Sequence, residues 1–459
     1  MTDTHKRIAI LGAGESGVGA ALLAQSKGFN PFVSDNGKID PQYKATLMEH
    51  GISLEEGRHS EQFILSTDEV IKSPGIPSNA PVITKLKEKN IPVISEIEFA
   101  SRYTGARIIA VTGTNGKSTT TYLTYHLMKE AGLRVCMAGN VGKSFAREVI
   151  HDEYDFYVLE ISSFQLDDML SFKADISILL NITPDHLDRY HHDMGLYIIS
   201  KFRILQNQGP EDKFIYFEDD PVIKAHLEKS SVIPFRVPVS LARHVNPGAY
   251  LNHESLHFLE NPAMTDDTRL GLEELPLRGP HNYVNQMCAV LAARYAGVEW
   301  EQIRAPLRNF INFPHRMEKV GLINGVTWIN DSKATNVDSV RYALDSYEEP
   351  IIWIAGGTDK GNDYEVLRSR VRAKVKTIVC LGKDNSRILG SFKNDVSTIL
   401  DTHRVEDAVH EAFRQAKPGD VVLLSPACAS FDLFKNYIDR GDRFRQAVKD
   451  LAVKNEIKN

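Results

Sequence analysis

An apolar strand that runs straight into Gly-Lys-Ser-Thr and then a helix leaves a chain few folds to choose from. ARIIAVTG at 106–113 reads as that strand, and Val111-Thr112-Gly113-Thr114-Asn115-Gly116-Lys117-Ser118-Thr119 carries it into a helix opening at Lys117. In such a loop, backbone N–H groups surround phosphates, the lysine reaches the terminal ones and the following serine ligates magnesium. The strict eight-residue pattern has Gly where this chain has Val111, but strand, loop and helix stand in the required order. ATP is therefore the expected ligand, with Gly113, Thr114, Asn115, Gly116, Lys117, Ser118 and Thr119 around it; a fortuitous turn is the alternative. Loops of this kind sit on parallel sheets, which need crossover helices.

The rest of the chain supplies them. RIAILG at 7–12 is a buried-strand pattern, followed by a Gly-rich turn and a helical stretch over 16–27. Residues 31–34 form a strand ending at Asp35, and EVIKSPGIP at 69–77 runs from strand into turn. Strands are expected at 156–162 and 174–182, then a helix over 196–206, a β-leaning stretch over 213–275 and a long helix from about 282 to before Gly297. A hairpin pattern around Asn324-Gly325 opens the last segment, where strands at 351–357, 377–382 and 420–427 alternate with helices. At roughly 150 residues per domain, this length predicts three α/β domains. They are a Rossmann-like domain over 1–96, a P-loop-type central ATPase domain over 97–312 and a Rossmann-like C-terminal domain over 313–459.

Four further clusters carry chemistry. Glu160 ends an apolar strand downstream of the phosphate loop, where an acid is costly unless it is paired or holds a metal. Magnesium on the nucleotide is the natural partner, and a structural ion pair is the alternative. Gly12-Ala13-Gly14-Glu15-Ser16-Gly17 follows a strand and opens a helix, with Asp35 21 residues past Gly14 (35 − 14). That fits a dinucleotide fingerprint or any phosphate-bearing ligand at a helix N-terminus. A tight turn is the bland alternative, and no hydride-transfer site accompanies it. His186 lies in the polar stretch 181–190 after a strand, with Lys201 fifteen residues on (201 − 186). His191 and His192 lack a third ligand at zinc spacing. Finally, Pro314–Glu318 and Asn330-Asp331-Ser332-Lys333-Ala334-Thr335-Asn336 crowd charged and amide groups at a strand end, which suits a ligand crevice or a capped turn.

Composition excludes other classes. A net charge of −6 gives no electrostatic case for nucleic acid or an anionic membrane. No apolar stretch approaches the roughly 20 residues of a membrane span, and the polar N-terminus is not a signal peptide. Cys136, Cys288, Cys380 and Cys428 are far apart in apolar or small-residue surroundings, as reduced, packed thiols would be. A cytoplasmic protein without membrane insertion, and a monomer, is expected.

Taken in order, these clusters resemble the Mur ligase family of peptidoglycan synthesis over essentially the whole chain. The phosphate loop is shared with folylpolyglutamate synthases. More specific are 159–165, 183–190, LRGPHNYVN (277–285), NDSKATN (330–336) and LSPACASFDLFKN (424–436) with Arg440-Gly441. They are most similar to the D-glutamate-adding branch; the D-N-P-R-type motif of the diaminopimelate-adding branch is not found. The resemblance implies an ADP-forming carboxylate–amine ligase. Its substrates are UDP-N-acetylmuramoyl-L-alanine and D-glutamate, and its cofactors are ATP, two Mg ions and carbon dioxide held as a carbamate on Lys201. It places the UDP portion near Glu15, Ser16, Asp35, Asn36 and Ser73, so the first Gly cluster becomes a UDP site and not an NAD site. Lys117 contacts ATP, Ser118 and Glu160 hold the first Mg, and His186 and carbamylated Lys201 the second. Asn140, Ser162 and Gln165 lie on the substrate side. Asn282, Asn285, Arg316 and Asp331 hold the nucleotide, and Lys333, Thr335, Lys360, Ser430 and Phe431 surround D-glutamate, with the C-terminal domain closing over ATP. Tyr437 departs from the Phe of the family pattern beside that pocket. The rivals are another Mur ligase, a folylpolyglutamate synthase, an ATP-driven switch that ligates nothing, and a nicotinamide oxidoreductase.

Overall fold

The structure, a computed structural model, describes residues 6–263 and 267–456. The chain divides into two compact units, Met1–Leu277 with Asn282–Phe310, and Arg278–His281 with Ile311–Asn459.

The first unit contains two sheets. β1 (Arg7–Leu11), β2 (Asn30–Asp35), β3 (Ser53–Glu56), β4 (Glu69–Lys72) and β5 (Val93–Ser95) form a parallel sheet ordered β3-β2-β1-β4-β5. The second holds β6 (Arg107–Thr112), β7 (Val135–Gly139), β8 (Phe156–Glu160), β9 (Ile176–Leu179), β10 (Lys213–Phe217), β11 (Phe235–Ser240), β12 (Gly248–Asn252), β13 (Ser255–Leu259) and β14 (Thr268–Gly271). Its order is β14-β13-β12-β11-β10-β9-β6-β8-β7, parallel from β12 to β7 and antiparallel at the β12–β14 end. β6, which carries the phosphate loop, therefore lies between β8 and β9. The carboxyl ends of those strands bring Gly113, Glu160 and Asn181 to one edge, where an open α/β sheet places its ligand.

One hydrophobic core serves both sheets. Ile8, Val18, Ala21 and Ile97 pack in the same cluster as Ile108, Phe145, Tyr157 and Leu159. The helix Glu15–Ser26 lies against the helix Phe145–Val149, and a Cβ on Gly19 would meet the Ser144 hydroxyl at 2.0 Å. A buried carboxylate completes the join. Glu96 is 2 % exposed, and its Oε1 accepts from Ser144 Oγ at 2.7 Å and from Ala146 N at 2.5 Å, at the start of that second helix. Its Oε2 is buried without a hydrogen-bond partner. Burial, and to a lesser degree the nearby Glu15 carboxylate, push its pKa up to about 7. A raised folded-state pKa contributes stability that is full below the unfolded value and is lost as pH rises through about 7. The melting temperature of Glu96→Gln relative to wild type will therefore climb between pH 5.5 and 8.5, by the equivalent of about 2 kcal/mol. A difference that stays flat over that range would refute the account.

The second unit has one sheet: β15 (Glu318–Ile323), β16 (Val326–Asn330), β17 (Ile351–Ala355), β18 (Val375–Leu381), β19 (Thr398–Thr402) and β20 (Val421–Leu424), ordered β15-β16-β20-β17-β18-β19. Only the opening hairpin pair is antiparallel. The hairpin stands where the Asn324-Gly325 signal put it. The helix expected over 196–206 instead spans Met194–Phe202 and ends in a 3₁₀ turn, because Asp193 caps it through Gly195 N. The helix expected from about 282 begins at Pro280, a residue suited to the first helical position. All four cysteines are free and buried, and burial raises the thiol pKa of each.

Candidate functional site

In the first unit the phosphate loop is shaped by two glycines. Gly113 (φ +151°) and Gly116 (φ +86°) take backbone angles that disfavour a side chain, and a Cβ on Gly116 would meet Asn285 Oδ1 at 2.4 Å. The helix Lys117–Glu130 starts at Gly116 without a side-chain cap. Its first N–H groups and the positive end of its dipole are suited to phosphate. Ser118 and Thr119 are buried in its first turn. Asn181, not singled out as a site residue in the sequence, clamps the loop: Asn115 N donates to its Oδ1 at 2.8 Å, its Nδ2 donates to Asn115 O at 3.0 Å, and Thr114 N donates to its carbonyl at 2.9 Å. The Thr114 hydroxyl sits between Thr183 and the Tyr197 hydroxyl, each at 3.1 Å. Asn282 and Asn285 are buried together, 3.3 Å apart on one helix face beside Gly116.

Two lysines share one acceptor. Lys117 Nζ donates to Gly113 O and Thr114 O, both at 2.8 Å, and Lys201 Nζ donates to the same Gly113 O at 2.9 Å. Lys201 is 2 % exposed and lies over the Tyr197 ring at 4.7 Å. Burial first, and then the Lys117 charge, hold its pKa well below the usual lysine value. A lysine that looked like a helix-surface residue in the sequence is thus a buried amine aimed at the phosphate loop.

Glu160 is 3 % exposed at the end of β8. Its Oε1 accepts from Asn140 Nδ2 at 2.7 Å, whereas Oε2 is buried with no hydrogen-bond partner. An open carboxylate oxygen in a buried position is unfavourable by itself and fits a cation. Among the described residues no group of three or more His, Cys, Asp or Glu side chains could cage a metal. Magnesium suits such a place, because it takes one or two protein ligands and fills its shell with phosphate oxygens and water. Ser162 and Gln165 form a reciprocal cap on the helix Ser163–Asp167. His186 is exposed, has φ +52°, and stacks edge-on against Phe164 at 5.4 Å.

At the other sheet, Asp35 accepts from Ala13 N at 2.8 Å and Gly37 N at 2.7 Å, which shapes the Gly-rich turn. Ser73 approaches Gly12 O at 3.4 Å. Ser16 lies in the first turn of its helix, and Asn36 is exposed. Glu15 pairs with Arg147 at 3.1 Å and accepts from Ser144 N at 3.2 Å, so its carboxylate is already engaged across the shared core.

The second unit has its own cluster at the carboxyl ends of β16, β17 and β20. Asp331 Oδ2 accepts from Ser425 Oγ at 2.9 Å and Oδ1 from Met317 N at 3.2 Å. Burial pushes its pKa up to about 7, with Arg316 nearby acting against that rise. Lys333 lies over the Tyr437 ring at 3.9 Å, and the Tyr437 carbonyl accepts from Ser332 Oγ. Ser430 is buried; Phe431 and Lys360 are exposed, and Thr335 is half-buried. Arg440, marked in the sequence only as part of a motif, is 1 % exposed and donates to Ser332 Oγ and to the carbonyls of Ser332, Gly356 and Cys428. A Cβ on Gly441 would meet His315 Nδ1 at 2.1 Å, which explains the Arg-Gly pair.

Three family models match the chain: "Mur ligase MurD-like, N-terminal domain" over 6–95, "Mur ligase middle domain" over 111–293, and "Mur ligase, glutamate ligase domain" over 315–428. A protein named UDP-N-acetylmuramoylalanine–D-glutamate ligase from Cytophaga hutchinsonii is 51% identical over 451 residues, covering 97% of this chain and 99% of its own. One of the same name from Bacteroides fragilis is 50% identical over 447 residues, covering 97% and 100%. Among solved structures, the UDP-N-acetylmuramate-alanine ligase MurC of Thermotoga maritima aligns with TM-score 0.60 at 19% identity, covering 97% of this chain and 100% of that one. The MurF ligase of the same organism in complex with ADP aligns with TM-score 0.59 at 14% identity, covering 98% and 100%. At those identities the structural likeness concerns the fold.

Proposed function

We propose a function from one premise: this chain belongs to the Mur ligase family. It adds D-glutamate to UDP-N-acetylmuramoyl-L-alanine with cleavage of ATP to ADP and phosphate, a step of peptidoglycan-precursor synthesis in the cytoplasm. No described helix is long and apolar enough to cross a membrane. The domain boundaries fall near 96/97 and 312/313, and the third domain supplies the amino-acid site. The observation that supports this most directly is the pair of lysines on Gly113 O beside a buried carboxylate with one open oxygen.

The alanyl carboxylate attacks the γ-phosphorus of ATP, and the bond to the β,γ-bridging oxygen breaks. Two anions have to meet, so cationic and N–H groups must offset their charge. Lys117 does so by exchanging the carbonyls of Gly113 and Thr114 for phosphate oxygens. The N-terminus of the helix Lys117–Glu130 holds the same phosphates from the backbone. Ser118 and Glu160 would hold one Mg ion, and His186 and a Lys201 carbamate the second. Bound magnesium supplies positive charge on the phosphates. The amine of D-glutamate then attacks the carbonyl carbon of the acyl phosphate. A tetrahedral intermediate forms, releases one amine proton to solvent and collapses, expelling phosphate and leaving an amide that keeps its N–H. Lys333, Thr335, Lys360 and Ser430 surround the amino acid, and Tyr437 adds a hydroxyl beside them.

An ammonium cannot ligate a metal, but a carbamate can. The Lys201 amine is buried, and burial favours its uncharged form, the form that attacks carbon dioxide; the N–C bond forms and one proton leaves. Lys117 lies close enough to offset the resulting negative charge.

ADP release across a panel of acceptor amino acids tests the assignment. D-glutamate with UDP-N-acetylmuramoyl-L-alanine will be the pair that turns over. Turnover of L-glutamate with a folate, in place of that pair, would overturn it. Steady ATP hydrolysis without either substrate would instead favour a switch.

A further inference from the structure

The turn after β4, which bears the UDP candidate Ser73, and the loop bearing His186 belong to different sheets of the first unit, yet one side chain ties them together. Arg189 donates from Nη1 to Gly75 O at 3.4 Å, and from Nη2 to Pro74 O at 3.4 Å and Ile76 O at 3.2 Å. Its guanidinium lies 4.3 Å from the centre of the Phe164 ring, whose other neighbours are His186 and Tyr190. A planar fork with five donors suits three successive carbonyls in a way that an ammonium does not.

The loop it holds is strained. His186, His191 and His192 all have positive φ, at 52°, 54° and 60°, on either side of the turn Leu187–Tyr190. Such backbone persists when its surroundings over-determine it. On one side the surroundings are thin: a groove of about 450 Å³, lined by Lys72, Phe164, Arg189 and Ser200 among others, runs beside the turn. The tie is continued on the far side. Ile76 O also accepts from Lys72 Nζ at 3.1 Å, and Lys72 pairs with Asp168 at 2.8 Å. Ser73 packs so close to Gly12 that a Cβ there would meet its hydroxyl at 2.6 Å. A contiguous path therefore runs from the Gly-rich turn, through Ser73–Ile76 and Arg189, to Phe164 and His186.

We propose that Arg189 is a positioning residue that makes occupancy of the UDP end set the geometry of the His186 loop. In this role it acts through the two loops it joins and not through contact with substrate or nucleotide. The inference rests on the assignment of the Gly-rich turn to the UDP portion. Its consequence is reciprocal: the UDP-substrate tightens Mg-ATP binding, and Mg-ATP tightens the UDP-substrate by the same factor. Without the strap the two ends bind independently.

Calorimetry on the full-length protein tests this with UDP-N-acetylmuramoyl-L-alanine and a non-hydrolysable ATP analogue, each alone and in the presence of the other. Wild type will show tightening of about fivefold or more. Arg189→Met will bring the factor to within twofold of unity while each ligand alone binds as before, and kcat will fall at least tenfold. Arg189→Lys will restore part of both. Unchanged coupling in Arg189→Met, or none in wild type, would overturn the proposal. Hydrogen exchange of wild type needs no variant. Addition of the UDP-substrate alone will slow exchange over 183–193, and an unaltered rate there would count equally against the strap. Failure of the parent assignment looks different, because then neither UDP-substrate binding nor D-glutamate-dependent turnover is seen in wild type.

Discussion

Lys201→Ala will lower turnover by on the order of 10²–10³-fold or more while the fold remains intact. The size follows from what is lost. A buried amine next to the phosphate loop is removed, and with it the proposed carbamate and its metal site. The fold should survive because a buried lysine is unfavourable where it stands. Its folded-state pKa is depressed, so the unfolded chain binds the proton more readily, and the penalty grows as pH falls. The alanine variant is therefore relieved of that penalty near neutrality. Added bicarbonate will not restore activity, because no amine remains to trap carbon dioxide. Formate or acetate will restore a fraction by presenting carboxylate oxygens in the vacated space. Wild-type rates in Lys201→Ala would sink the carbamate hypothesis. The wild-type rate should also rise with pH and bicarbonate together, as the uncharged amine becomes available.

The second large effect lies in the other unit. Arg440→Ala will destabilise it by on the order of 4 kcal/mol. The guanidinium is 1 % exposed and ties the loops at the ends of β16, β17 and β20 through Ser332, Gly356 and Cys428. Burial lowers its pKa to about 10, which still leaves it charged at neutral pH. Truncation would strand three carbonyl groups that are out of reach of bulk water. Urea unfolding followed by tryptophan fluorescence reports this, since Trp328 and Trp353 are both buried in this unit. Arg440→Lys, with its charge but without the fork, will fall between the two. A midpoint unchanged in Arg440→Ala would rule the side chain out as a tie. Asp331 and Ser430, proposed ligand contacts, lie within two residues of Ser332 and Cys428, so activity is expected to fall along with stability.

Both effects bear on what could be read in advance. The phosphate loop and the strands around it were legible because a strand, two glycines and Lys-Ser leave a local trace. The hairpin at Asn324-Gly325 was legible for the same reason. Glu160 was conspicuous because an acid at the end of an apolar strand needs a partner. The anchoring of Lys201 was not legible, because its acceptor is a main-chain carbonyl 88 positions away, and a carbonyl has no letter in the sequence. Asn181 and Arg440 are similar cases: what each does depends on backbone groups brought close by strand order. Glu15 shows the converse. Its place in a Gly-rich turn suggested a ligand, and the structure gives its carboxylate to Arg147, which is remote in sequence.

The core shared by the first two sheets has a consequence for how this chain can recombine with its relatives. A crossover near residue 96 would join half a core from one parent to half from another, and steric matches such as Gly19 against Ser144 would have to agree by chance. A crossover near residue 311 exchanges a unit whose apolar clusters are its own. In libraries of chimaeras, functional hybrids should therefore be common at the second junction and scarce at the first. Over evolutionary time, the second unit would be free to change hands while the two sheets of the first are inherited as a single block.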